Sequence, residues 1–205
     1  MSGITTLLLD ADGVIQKPAP GWRENLGALC GDEVRREEFL AAVFAAERPC
    51  LTGDQDFATA LEAVLDRWGS RTSLEEALAV WTQIEVSEEM LALVDRLRRN
   101  GWRVALATNQ QTHRAAHMSW ALGYASRFDA QCYSCGLGAA KPDVSYFAKA
   151  LAILDCPPEA ALFIDDSPAN VHSARSAGLS AEVFSLDQGH TALRDILHSY
   201  GVQLR

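Results

Sequence analysis

Three short, almost unbroken apolar runs constrain this chain more than anything else in it, because each one closes on polar groups. Ile4–Asp10 (ITTLLLD) leads into Asp10-Ala-Asp12-Gly13, Arg103–Thr108 (RVALAT) into Thr108-Asn109, and Ala160–Ile164 (AALFI) into Asp165-Asp166. Runs this continuous belong to strands covered on both faces, as in a parallel sheet. Asp129–Tyr133 and Ala181–Phe184 are two weaker candidate strands. Amphipathic helices lie between them. Glu88–Asn100 carries Leu91, Val94 and Leu97 and stops at Asn100-Gly101; Thr112–Leu122 precedes Gly123; Pro142–Leu154 opens on proline; Pro168–Ala177 ends at Gly178. Strand–helix alternation in this order predicts an α/β fold, a three-layer, doubly wound parallel sheet, with ligands bound beyond the carboxyl ends of its strands.

The stretch from Gln16 to Val86 breaks the alternation. No strand is expected there. Helical patterning covers Arg35–Ala46 and Phe57–Trp68, and a third helix opens at Ser73 with a capping box to Glu76. Trp22, Trp68 and Trp81 fall in this stretch, as aromatics for a small core of its own. The expected organisation is therefore an α/β domain from residues 1–15 and 87–205, with residues 16–86 as a helical insert after the first strand.

Composition excludes several partners. A formal charge of −9 and a pI near 5.0 disfavour nucleic acid and anionic membrane surfaces. No apolar run approaches the ~18 residues of a membrane span. The N-terminus reaches Asp10 after only three leucines, unlike a signal or transit peptide, so a cytoplasmic location is expected. Five cysteines, an odd number, read as thiols in a reducing compartment. Cys132 and Cys135 form a CxxC without the second pair that a zinc site needs.

A parallel sheet would bring Asp10, Asp12, Thr108, Asn109, Asp165 and Asp166 to one edge, with Lys141 of Ala140-Lys141-Pro142 nearby. That inventory lacks the G-x-S-x-G of acyl transfer. It suits phosphoryl transfer, which needs a nucleophile, a proton carrier, positive groups for phosphate oxygens and a hard cation. Crowded carboxylates repel unless a divalent ion sits among them, and oxygen-only ligands indicate Mg²⁺. Taken singly, each residue also has a plainer role: Asp166 or Thr108 could cap the next helix, and Lys141 could be a solvated surface lysine.

These residues resemble the motifs of the haloacid dehalogenase-like (HAD) hydrolase superfamily. Asp10-Ala-Asp12-Gly13-Val14 resembles its first motif, Thr108-Asn109 its second, Lys141-Pro142 its third, and FIDDSPAN, from Phe163 to Asn170, its acidic fourth. The resemblance spans nearly the whole chain in the right order. It implies a Rossmann-like core with a C1-type helical cap, and looks most like the glucose-1-phosphate phosphatases and the N-terminal phosphatase domain of soluble epoxide hydrolase. By resemblance, Asp10 is the nucleophile that forms an aspartyl-phosphate, and Asp12 protonates the leaving oxygen and then activates water. Mg²⁺ is held by Asp10, the Asp12 carbonyl and Asp166, with Asp165 less defined. Thr108, Asn109 and Lys141 hold phosphate oxygens, and Lys141 offsets the charge of Asp10.

The implied activity is hydrolysis of a small-molecule phosphate monoester. Within the family, the alternatives are a phosphomutase and a 2-haloacid dehalogenase. Dehalogenases lack the second acid because halide leaves without a proton, so Asp12 favours the phosphatase. Outside enzymes, a phosphorelay receiver uses the same groups, but with its acidic pair before the acceptor. A catalytically silent binding module would be expected to have lost Asp10, Asp12 or Lys141. Gly136-Leu-Gly138 lacks the context of a dinucleotide loop, and His113/His117 lack the glutamate of H-E-x-x-H. Arg23, Arg48 and Gln55 are polar candidates for substrate contact in the insert.

Overall fold

The computed structural model describes residues 3–203. Among the described residues there are seven strands: β1 (Thr6–Leu9), β2 (Gln16–Pro18), β3 (Ile84–Val86), β4 (Arg103–Thr108), β5 (Ala130–Tyr133), β6 (Ala161–Asp165) and β7 (Ser180–Val183). Five form one parallel sheet in the order β5-β4-β1-β6-β7. Leu9 at the end of β1 stands opposite Leu106 and Ile164, so the polar residues that follow each run emerge side by side.

Burial on both faces follows from the period of two along each strand. Leu7, Leu9, Leu106 and Ile164 face one side, against Met90, Val94 and Leu97 of α5 (Glu88–Arg99) and Leu193 and Leu197 of α11 (His190–Ser199). Leu8, Ala105, Ala107 and Phe163 face the other, against Phe147 and Leu151 of α9 (Val144–Leu154) and Val171 and Ala174 of α10 (Pro168–Ser176). This is the expected three-layer α/β arrangement. Ser87 caps α5 by accepting from the Met90 N–H, and Asp143 caps α9, which moves that helix start two residues past Pro142.

Between β1 and β4 lie α1 (Trp22–Ala28), α2 (Arg36–Glu47), α3 (Phe57–Trp68) and α4 (Leu74–Trp81). Their apolar faces make a separate core around Phe39, Val43, Phe57, Leu61 and Trp81. The Trp81 ring stands edge-on to Phe57 at 4.9 Å and to Trp22 at 5.5 Å. The capping box of Ser73 and Glu76 is present.

The absence of strands in residues 16–86 is corrected by β2 and β3, which pair antiparallel where the chain leaves and re-enters the sheet domain, Gln16 opposite Val86. Three residues per strand are too few to show a period; chain connectivity brings them together. The expected single helix over Thr112–Leu122 is instead α6 (Thr112–Ala116) running into a π-helical turn, His117–Ala121. Two short helices, α7 (Tyr124–Arg127) and α8 (Ser134–Leu137), flank β5. All five cysteines are free thiols. Among the described residues, no helix is long and apolar enough to cross a membrane.

Candidate active site

Asp10 leaves the end of β1 and is buried. Its Oδ1 accepts from the Ala11 N–H at 2.8 Å and lies 2.9 Å from Lys141 Nζ. The same ammonium donates to Asp165 Oδ2 at 2.5 Å and to the Ala107 carbonyl at 2.9 Å, so its three protons are all engaged. Asn109 fixes the Lys141 loop: its Oδ1 accepts from the Lys141 N–H at 2.8 Å and its Nδ2 donates to the Lys141 carbonyl at 2.7 Å. The Asn109 side chain is thereby committed to the main chain, while Thr108, buried at the end of β4, accepts from Gln110 Nε2 at 3.2 Å. Asp165 also accepts from the Ser167 N–H and from Asn170 Nδ2, at 2.8 and 3.0 Å, which ties the start of α10 to the lysine.

Asp166 differs from its neighbour. It is exposed, and among the described residues its side chain forms no ion pair and no hydrogen bond to another side chain. Gly13 makes room for it: a Cβ there would stand 2.3 Å from Asp166 Oδ2, and its φ of +81° also favours glycine. Carboxylate oxygens of Asp10, Asp165 and Asp166 lie within 4.8 Å of one another. A hard-oxygen set this close, with one member in no ion pair, fits a divalent cation such as Mg²⁺.

The Asp12 carboxylate stands outside that group. Arg114 of α6 grips it with both terminal nitrogens, Nη2 to Oδ1 at 2.8 Å and Nη1 to Oδ2 at 2.5 Å. Gln16 Nε2 and Gln110 Nε2 complete the cage at 3.0 and 2.9 Å. Sequence reasoning missed all three. Gln110 and Arg114 do stand at i,i+4 spacing directly after a polar strand end, a signal that could have found them.

The two acids are perturbed in opposite directions. Burial, reinforced by Asp165 and only partly countered by Lys141, pushes Asp10 up to about 7. Burial also acts to raise Asp12, but the Arg114 guanidinium and the two amides outweigh it and hold Asp12 below the ordinary carboxylate range. Desolvation and then Asp165 raise Asp166. For Lys141, burial is outweighed by Asp10 and Asp165, which keep it above an ordinary lysine.

A cleft of about 570 Å³ opens onto Asp12, Gly13 and Asp166 from the side of the helical insert, where Lys17, Trp22, Arg23 and Glu24 line it. Arg23 pairs with Glu37, and Lys17 with Asp187. Arg48 and Gln55 do not line this cleft. His113 faces the Leu78 carbonyl at 3.2 Å rather than a metal set, and Gly138 ends α8 rather than opening a dinucleotide loop.

Fold and site together define a doubly wound α/β protein with an acid-rich strand edge. The chain belongs to the haloacid dehalogenase-like hydrolase family, whose sequence model matches residues 4–178. Among curated proteins it resembles phosphoglycolate phosphatases of Cereibacter sphaeroides, at 28% identity over 107 residues, covering 52% of this chain and 48% of the relative. A second strain's enzyme matches at 30% identity over the same length, with the same coverage. The match thus spans about half the length of these curated relatives. Among solved structures, a HAD family enzyme from Bacteroides thetaiotaomicron superposes with a TM-score of 0.82 at 20% identity, covering 94% of this chain and 98% of that one. The same enzyme in complex with magnesium and inorganic phosphate gives 0.79 at 21%, covering 93% and 99%. An L-2-haloacid dehalogenase from Xanthobacter autotrophicus gives 0.65 at 16%, covering 98% and 84%. At these identities the structures establish the fold, and the fold alone does not separate phosphatase from dehalogenase.

Proposed function

We propose that this chain is a magnesium-dependent phosphatase that hydrolyses a small phosphate monoester through an aspartyl-phosphate on Asp10. One observation carries the reading. A second acid, Asp12, sits two residues beyond Asp10, and a leaving group that needs a proton calls for such a residue. The half-length match to phosphoglycolate phosphatases supports the same direction. The acidic pair Asp165-Asp166 followed by Asn170 supports a place among the C1-capped phosphatases. Residues 16–86 act as the cap over the cleft, and residues 1–15 and 87–205 form the catalytic domain.

Asp10, Asp166 and the Asp12 main-chain carbonyl would hold Mg²⁺, with Asp165 alongside; the ion supplies charge neutralisation and orientation for the incoming dianion. Asp10 attacks phosphorus. Lys141, Thr108 and the chain at Asn109 take phosphate oxygens, and Lys141 limits the repulsion between anionic nucleophile and anionic substrate. Asp12 gives its proton to the departing alkoxide and later takes one from water. Asp165, which also accepts from the Ser167 N–H and Asn170 Nδ2, holds Lys141 at this station.

The test is a panel of phosphorylated metabolites with Mg²⁺, with chelated and Asp10→Asn controls. Turnover should depend on added Mg²⁺ and fall by several powers of ten in the variant. Full activity in excess chelator, or halide release from a 2-haloacid, would overturn the assignment.

A further inference from the structure

Arg114 takes no part in the chemistry set out above, yet its whole guanidinium end serves one catalytic acid. Its side chain is 13% exposed, and both terminal nitrogens bond Asp12. Nη1 also donates to Gln110 Oε1 at 3.0 Å, and the Arg114 N–H donates to Gln111 Oε1 at 3.0 Å, which anchors the first turn of α6. That turn meets the helical insert through His113 and the Leu78 carbonyl. Core helix and catalytic acid therefore meet at one guanidinium.

A carboxylate turns easily about its last torsion. A planar fork bonded to both oxygens fixes that torsion, which a lysine's point charge does not. The four acceptor sites of Asp12 are filled, two by charge-assisted bonds from Arg114 and two by neutral amides. The amide bonds are the weaker pair, and so are the ones a water molecule displaces.

We propose that Arg114 is the positioning residue of the hydrolytic half-reaction, holding the Asp12 carboxylate in the plane from which it takes a proton from water. The inference rests on the phosphatase reading. In that step the water oxygen bonds to phosphorus, the bond from phosphorus to the Asp10 oxygen breaks with its electron pair returning to Asp10, and one water proton passes to Asp12. Inorganic phosphate and free Asp10 result, and Asp12 is left in the acid form that the next leaving group requires.

The experiment follows phosphoenzyme by intact mass after acid quench, with enzyme and Mg²⁺ in excess over p-nitrophenyl phosphate. One time course then yields both formation and decay of the aspartyl-phosphate. The p-nitrophenolate ion departs without a proton, so Arg114→Ala should leave formation within about threefold. Its decay should slow by about tenfold or more, a part of the ~10²–10⁴ that general base help supplies. Arg114→Lys should fall between, and it decides the matter if the alanine variant does not fold. Unchanged decay in the Arg114 variants, or equal slowing of both phases as a purely structural role would give, overturns the proposal. Turnover by the wild type with no gain of phosphoryl mass overturns the phosphatase mechanism itself.

Discussion

Lys141 is the point at which stability and chemistry are most tightly joined, and Lys141→Met separates them. Its ammonium touches Asp10 and Asp165, and the three side chains are 1%, 10% and 0% exposed. Methionine keeps most of the stem's volume but strands two buried acids and one carbonyl. Removing one partner from a buried ion pair costs about 3–5 kcal/mol, a large share of the ~5–15 kcal/mol that holds a domain together. The loss should also depend on pH, with a sign that can be worked out. Asp10 is already raised to about 7 with the lysine present, so without metal the wild type loses stability as pH rises towards 7 and is level above it. Deleting Lys141 raises Asp10 further, so the variant goes on losing stability above 7 while the wild type does not. One retained proton corresponds to at most about 1.4 kcal/mol per pH unit. Urea denaturation in chelator at pH 5.5, 7 and 8 should therefore show a deficit of about 3–5 kcal/mol at pH 7 that widens by up to ~1.4 kcal/mol at pH 8 and narrows at 5.5. A deficit below ~1 kcal/mol, or one that does not change with pH, would refute the charge-pair reasoning.

Glu47→Gln should stabilise the protein above neutrality. Burial raises Glu47 to about 7 against the opposing pull of Arg114, so its ionisation weakens the fold as pH climbs; a gain of about 1–3 kcal/mol in urea at pH 8 should vanish near pH 5. Gly13→Ala meets both the positive φ and the Asp166 carboxylate. A loss of about 1–3 kcal/mol should come with weaker Mg²⁺ binding by calorimetry, and wild-type affinity would show that Asp166 is not a ligand. Asp12→Asn should slow alkyl phosphates by about 10²–10⁴-fold while sparing p-nitrophenolate release in a single turnover. An equal loss on both substrates would assign Asp12 to metal positioning instead.

The central strands and their polar ends were readable in the sequence because each is covered on both faces, so β1, β4 and β6 appear as continuous apolar runs in which the first acid or amide marks the exit. The β2–β3 pairing was not readable: its register depends on residues about seventy positions apart, and Pro18, a residue that usually ends strands, sits in it. Helix α11 did carry an amphipathic signal, Leu193 and Leu197 at i,i+4, but it lies past the last strand, where alternation no longer predicts an element. Among site residues, Asp10, Asp12 and Asp166 follow from strand ends. Arg114 does not, since its partner is 102 residues away and only the phase of α6 decides which of its faces looks at the sheet edge.

The opposite perturbation of Asp10 and Asp12 follows from the same geometry and bears on their division of labour. They are separated by one residue, yet Asp10 turns inward to a dry floor where Lys141 is shared with Asp165, whereas Asp12 turns towards the insert and takes a guanidinium whole. Raised to about 7, Asp10 is only partly charged at neutral pH, and a further positive charge beside it favours the charged form. Charging of the nucleophile is thus tied to cation binding among Asp10, Asp165 and Asp166. The Arg114 cage favours the charged, proton-accepting form of Asp12, which becomes a donor for the next leaving group once it has taken a proton from water. Two carboxylates on one strand end can in this way serve as a nucleophile that waits for a cation and a proton acceptor that does not. Exchanging their environments, more than exchanging their identities, is what would abolish the distinction.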